Sequence, residues 1–65
     1  MTPAKAAHLA AVKTELAEKY TRKARTSGSV TKRRQFEHRA RAHRRKVQAL
    51  RDWMAFAERE KAAAA

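Results

Sequence analysis

The residues of this chain best equipped for chemistry are the arginines and lysines concentrated between positions 19 and 46. This stretch holds twelve of the 17 basic residues and one of the six acidic residues, Glu37, so its formal net charge equals the +11 of the whole chain. Guanidinium groups pair bidentately with phosphate and stack on bases, and each phosphate that is neutralised releases counterions. The charge pattern therefore predicts binding to a polyanion, and nucleic acid matches it best.

Charge runs are often only solvated helix faces, and part of this stretch fits that reading. The cations of residues 22–25 lie at the end of a predicted helix, where positive charge complements the helix dipole. The cations of residues 32–34 lie at the start of the next helix, where they oppose the dipole and folding gains nothing evident from them. We expect nucleic-acid contacts from the second helix, with support from the first, through Lys32, Arg33, Arg34, Arg39, Arg41, Arg44, Arg45 and Lys46, together with Arg22, Lys23 and Arg25.

The sequence lacks the motifs that would decide between RNA and DNA as the ligand. The sequence has no helix-turn-helix spacing, zinc ligand set or RNP-type motif, and its basic region overlaps its heptad pattern instead of forming a separate arm. Arginine-rich helices commonly recognise RNA by its shape, so RNA is slightly favoured over DNA. An alternative stays open: a small regulator or inhibitor protein whose basic end docks on an acidic protein surface.

Catalysis and metal binding have little support in the sequence. The acids are few and alternate with bases, and there is no glycine-rich phosphate loop or nucleophile–base pair. His8, His38 and His43 lack metal-ligand spacing. We therefore expect a non-enzymatic protein without metal, cofactor or small-molecule substrate. His43 is predicted to be a partly buried polar residue of the helix seam.

Membrane binding is disfavoured because the cations and the largest apolar residues occupy different lengths of the chain. A membrane-surface helix carries both along the same length, whereas Trp53, Met54 and Phe56 follow the basic stretch. Residues 1–8 lack the apolar core of a signal peptide, and the chain contains no cysteine. The expected location is the cytoplasm.

One proline and one glycine divide the chain into its predicted elements. Thr2 and Pro3 are typical of an N-cap and a first helical position, which predicts a helix over residues 3–26. A turn follows at residues 27–29, in which Gly28 is expected to take the left-handed conformation and Ser29 or Thr31 to cap the next helix. The second helix is predicted over residues 30–62, followed by a frayed tail at 63–65.

Apolar periodicity predicts how the two helices meet. The first helix carries a stripe at spacings of three and four, and the second carries a heptad seam. A three-residue turn forces the two helices to be antiparallel. The predicted fold is therefore all-α, and it is a two-helix hairpin that forms a single domain over residues 1–65. Counting equally from Gly28 places Tyr20 opposite Phe36 and Leu16 opposite Ala40. The stripe is Leu9, Val12, Leu16, Tyr20 and Ala24, and the seam is Phe36, Ala40, His43, Val47, Leu50, Met54 and Ala57.

The end of the hairpin away from the turn is predicted to self-associate. The second helix outruns the first there, so its apolar residues lack cover from the same chain. A homodimer that forms a four-helix bundle would cover them, and a protein partner is the alternative. The residues expected in this contact are Leu50, Trp53, Met54 and Phe56.

Overall fold

The computed structural model describes residues 1–64, which form helix α1 at Pro3–Thr26 and helix α2 at Val30–Ala64. The two helices pack against each other, which confirms the predicted all-α hairpin. Their Cα atoms occupy an elongated body of 55 × 14 × 14 Å. Helix α2 extends to Ala64, two residues beyond the end at residue 62 that the sequence predicts. Residue 65 of the predicted tail lies outside the described residues.

Each helix begins at a hydroxyl cap. The Thr2 Oγ1 atom accepts a hydrogen bond of 3.2 Å from the backbone N–H of Lys5, with proline in the first turn as expected. The Ser29 Oγ atom accepts a bond of 3.4 Å from the N–H of Lys32, so Ser29 caps α2. The N–H of Arg33 donates to the Ser29 carbonyl at 2.9 Å, which closes the first turn of that helix.

The prediction that Gly28 is left-handed was wrong. No residue within 1–64 has a positive φ angle, and the chain leaves α1 through Ser27 in an extended conformation. The Ser27 hydroxyl accepts a hydrogen bond from the N–H of Ser29 at 3.4 Å. A serine side chain can take the place of a backbone turn bond in this way, so the chain reverses without a left-handed residue.

The core between the helices is built mainly from alanine, so the predicted stripe of α1 is correct at Ala24 and is corrected at its larger residues. Leu9 and Val12 remain 37% and 38% exposed, and Leu16 and Tyr20 are half-buried. Small residues occupy the line of closest approach because they let the two backbones come near, and the larger leucine and valine side chains lie at its edge. The buried residues are Ala6, Ala10, Ala17 and Ala24 from α1, and Ala40 and Val47 from α2.

The heptad seam predicted for α2 is confirmed. Two of its seven positions, Ala40 and Val47, are buried, and the other five are half-buried against α1: Phe36, His43, Leu50, Met54 and Ala57. The seven-residue repeat therefore identified the face of α2 that meets its neighbour.

Contacts between the helices lie further from the turn along α2 than equal counting predicts. The Tyr20 ring lies near Phe36, as expected, but also near His43, with ring centroids 6.1 and 5.8 Å away. Thr21 receives a hydrogen bond from Arg44, whereas equal counting from Gly28 would place Gln35 opposite it. Helical side chains lean toward the N-terminus of their own helix. Those of α1 therefore lean away from the turn and those of α2 lean toward it, so a residue of α1 contacts residues of α2 that lie further from the turn.

Within residues 1–64, neither helix combines the length and the apolar character needed to cross a bilayer. The same residues contain no group of three or more histidine or acidic side chains placed to hold a metal ion.

Candidate nucleic-acid interface

Four arginines from both helices surround one hollow beside the turn. The hollow has a volume of about 520 Å³ and is named here the arginine groove after Arg25, Arg33, Arg41 and Arg44. Its remaining lining is small or polar: Thr21, Ala24, Glu37 and Ala40. Guanidinium groups from two separate helices therefore converge on one concave surface of the size of a small-molecule site.

The alanine core is what forms this groove. Ala24 and Ala40 are both buried at the contact between α1 and α2, and their methyl groups leave open space above them. Arg33 lies seven residues before Ala40 and so shares its side of α2, while Arg25 directly follows Ala24 on α1. Long side chains thus rise around a floor of short ones.

Two of the groove arginines are held by hydrogen bonds across the hairpin. The Arg44 Nη2 atom donates to the Thr21 hydroxyl at 2.6 Å, and that hydroxyl donates to the Ala17 carbonyl at 2.8 Å. The Arg33 Nη2 atom donates to the Ser27 carbonyl at 3.3 Å. A guanidinium has five N–H donors, so one such bond orients the group and leaves donors for a phosphate.

Glu37 is the acid of the groove, and it is half-buried. It lies four residues from both Arg33 and Arg41, the spacing at which helical side chains are neighbours. One carboxylate among four guanidinium groups leaves the groove with a clear surplus of positive charge. The electrostatics of this surface therefore favour an anion.

The opposite side of the hairpin carries a stack of three rings with cations beside them, named here the aromatic face. The Tyr20 ring lies between Phe36 and His43, with interplanar angles of 22° and 8°. The Lys23 Nζ atom is 5.7 Å from the centroids of both Tyr20 and Phe36, and the Arg39 Cζ atom is 5.6 Å from the centroid of Tyr20. These are cation–π distances, so the rings position the two cations.

His43 is the third ring of this stack, and its surroundings disfavour the protonated form of its imidazole. Burial lowers the pKa of its imidazole below the ordinary value of 6.5, and the positive charges of Lys13 and Lys46 lower it further. Its Nδ1 atom is buried and has no hydrogen-bond partner. The ring is therefore neutral at neutral pH, which agrees with its predicted place in the seam.

The eleven cations predicted to bind nucleic acid lie between the turn and the middle of the hairpin but not on one surface, and Lys46 also borders the hollow beside Trp53. Three lie on or beside the aromatic face, Lys23, Arg39 and Lys46; four line the arginine groove; and four are exposed outside both surfaces, Arg22, Lys32, Arg34 and Arg45.

Sequence reasoning missed two residues of these surfaces, Thr21 and Lys13. Thr21 orients Arg44, and Lys13 lies near His43. The spacing of Lys13, seven residues before Tyr20, was a usable signal that both share one side of α1.

The four residues predicted to self-associate divide into an inner and an outer pair. Leu50 and Met54 are half-buried in the seam, whereas Trp53 and Phe56 are 36% and 53% exposed. Trp53 and Leu50 line a hollow of about 430 Å³ together with Met1 and Leu9, and the side chains of Lys13 and Lys46 border it. The end of the hairpin away from the turn thus exposes two aromatic side chains, one of them beside this hollow.

Comparisons with protein-family models, with curated proteins and with solved structures gave no match.

Proposed function

We propose that the protein is a non-enzymatic nucleic-acid-binding protein that contacts phosphates with the basic end of its hairpin. The observation that carries the proposal is the arginine groove, in which guanidinium groups from α1 and α2 converge over an alanine floor. A phosphate placed there would accept charge-assisted hydrogen bonds from both helices at once.

The energetics of the free protein support a polyanionic ligand. The first turn of α2 contains no acid that would complement the helix dipole, and three successive cations, residues 32–34, lie near it. Mutual repulsion of this kind destabilises a protein whose buried core consists of alanines and one valine. Phosphates relieve that repulsion, and each contact adds a favourable counterion-release term.

The width of the hairpin supports RNA over duplex DNA as the main ligand. A single helix with its side chains is about 10–12 Å across, which already fills the major groove of B-DNA, about 12 Å wide. The cations of this protein project from a layer of two helices, which does not enter that groove as a unit. Such a layer suits the irregular surface of folded RNA, where shape and backbone phosphates dominate recognition.

We propose further that two hairpins associate through the Trp53 and Phe56 end to form a four-helix bundle. The exposed aromatic rings and the hollow beside Trp53 support this arrangement. Sedimentation across a range of protein concentrations tests it. The sedimentation coefficient of the wild type should rise with concentration, and Trp53→Lys should keep it at the monomer value.

A capture experiment with matched charge variants tests the main function. The tagged protein is incubated with lysate, with and without nuclease, and retained RNA, DNA and protein are measured. RNA should be retained and should disappear after nuclease treatment. A variant in which Arg25, Arg33 and Arg41 are each changed to Gln should retain clearly less RNA than the wild type, whereas the same change at Lys5, Arg59 and Lys61 should retain as much. Retention of one defined acidic protein after nuclease treatment would favour the regulator alternative instead.

A further inference from the structure

The basic end of the hairpin has two cationic surfaces on opposite sides of the helix pair. Lys23 and Arg25 are two residues apart on α1, which corresponds to a rotation of about 200° around the helix. Lys23 lies by the rings of the aromatic face and Arg25 lines the arginine groove. Arg39 and Arg41 are related in the same way on α2. Each helix thus directs cations to both sides of the alanine core.

The aromatic face is suited to phosphates and not to stacked bases on its central ring. Phe36 and His43 already stack with Tyr20, one on each side of it in the row of rings. The cations Lys23 and Arg39 remain exposed beside the rings, with Lys46 near His43. The chemistry that this surface offers to a ligand is therefore a second set of positive charges.

A polyanion on one face leaves the charge of the other face largely uncompensated. The Cα atoms of the hairpin span 14 Å across its short axes, and side chains add to that thickness. The Debye length at physiological salt is about 8 Å, so phosphates bound in the groove are screened from cations on the far side. Those cations still attract a second phosphate backbone.

We infer that a single hairpin bridges two nucleic-acid segments, one in the arginine groove and one on the aromatic face. The inference rests on the proposed function, since both surfaces must bind phosphates. The bridging activity follows from the two-sided placement of charge and would not arise from a cationic patch on one side.

Energy transfer between two labelled nucleic acids tests the bridge. Identical RNA hairpins carrying either a donor or an acceptor dye are mixed with the full-length protein. Energy transfer should be greatest when there are about half as many protein molecules as RNA molecules. It should fall at excess protein, because each RNA molecule is then bound by a separate protein molecule. Anisotropy of a single labelled RNA, recorded in the same buffer, reports simple binding.

Three variants with equal losses of charge separate the two faces. Each of them, and the reference protein with which they are compared, also carries Trp53→Lys, so that association through the far end of the hairpin supplies no second copy of either surface. The groove variant changes Arg25, Arg33 and Arg41 to Gln, the face variant changes Lys23, Arg39 and Lys46 to Gln, and the control changes Lys5, Arg59 and Lys61 to Gln. The groove variant and the face variant should each lose most of the energy transfer. Each should still bind one RNA in the anisotropy assay. The control should retain both signals. Circular dichroism verifies helicity, and the pairs Arg25/Arg41 and Lys23/Arg39 replace any triple variant that unfolds.

The outcomes distinguish the bridge from the proposed function and from a dimer. Salt-sensitive binding of single RNAs without energy transfer overturns the bridge and leaves the proposed function in place, whereas absence of binding removes both. Persistent transfer in the face variant also overturns the bridge, since one face per copy of a dimer would then suffice. A mixture of the groove and face variants should not restore transfer, and restoration would show that the two sites come from different copies.

Discussion

The guanidinium group of Arg44 donates a 2.6 Å hydrogen bond to the hydroxyl of Thr21 and so joins α2 to α1 beside the arginine groove. The Thr21 hydroxyl passes the polarisation on to the Ala17 carbonyl at 2.8 Å. Because the guanidinium donor is charged, its hydrogen bond is stronger than one from a neutral donor. The two consecutive hydrogen bonds also polarise and strengthen each other. The contact links the two helices and orients the Arg44 guanidinium beside the groove in which we propose that a phosphate binds.

Replacing Thr21 with valine should weaken nucleic-acid binding without changing the charge of the protein. The substitution keeps the β-branched shape and removes the hydroxyl that orients Arg44, so we expect a loss of about 1 kcal/mol in unfolding free energy. The affinity for RNA should fall while the slope of affinity against salt stays the same. Urea denaturation and anisotropy measure the two effects.

Thr14→Val is the matched control for Thr21→Val, because the Thr14 hydroxyl also donates to a backbone carbonyl, that of Ala10 at 2.7 Å. An equal loss of affinity in the control would remove the special role of Thr21.

Replacing Lys32 with glutamate should stabilise the free protein while weakening its binding. Ser29 already caps α2 by accepting a bond from the Lys32 N–H, so a glutamate there completes a capping box and complements the helix dipole. The gain in unfolding free energy should be about 0.5–1 kcal/mol. The salt slope of RNA binding should become shallower by about 1 if Lys32 contacts a phosphate. A variant that is more stable and binds equally well would contradict a phosphate contact by Lys32.

The sequence predicted features that depend on a single helix, but it failed at the Gly28 turn and at features that depend on how the two helices meet. The heptad of α2 and the cap at Thr2 depend on local spacing and were predicted, and Ser29 was one of the two caps expected for α2. The stripe of α1 was correct at Ala24, but its larger members were chosen by apolar size, whereas close helix contact selects small residues such as Ala17. The groove itself depends on cross-helix register, which side-chain lean shifts along α2, so pairs such as Thr21 and Arg44 were not foreseeable from spacing.

The alanine core should be intolerant of larger side chains. Ala40 is buried between the helices at the floor of the groove, so Ala40→Leu must push α1 and α2 apart. Overpacking of this kind costs about 1–3 kcal/mol, and it should also reduce RNA affinity because the groove arginines separate. Ala55→Leu on the exposed side of α2 is the control and should leave stability nearly unchanged. Equal thermal midpoints for the two variants would show that the helices do not pack through alanine.

Stability should fall as the pH drops below the ordinary pKa of histidine because of His43. Burial and the charges of Lys13 and Lys46 lower its pKa in the folded state, so below 6.5 the unfolded chain binds more protons than the folded chain. The unfolding free energy contributed by this residue is therefore present above that pH and is lost as the pH falls toward the folded-state pKa. Urea denaturation across this range should show the loss in the wild type and in His38→Gln, and not in His43→Leu. An unchanged pH dependence in His43→Leu would assign the effect to other groups.

The salt dependence of nucleic-acid affinity tests the central claim most directly. Dissociation constants for one labelled duplex DNA and one labelled RNA hairpin are measured from about 50 to 200 mM monovalent salt. If about six phosphates are neutralised on the duplex, the logarithm of the association constant should fall against the logarithm of salt concentration with a slope of about −5. A slope near zero for both ligands would contradict phosphate binding by the basic end of the hairpin.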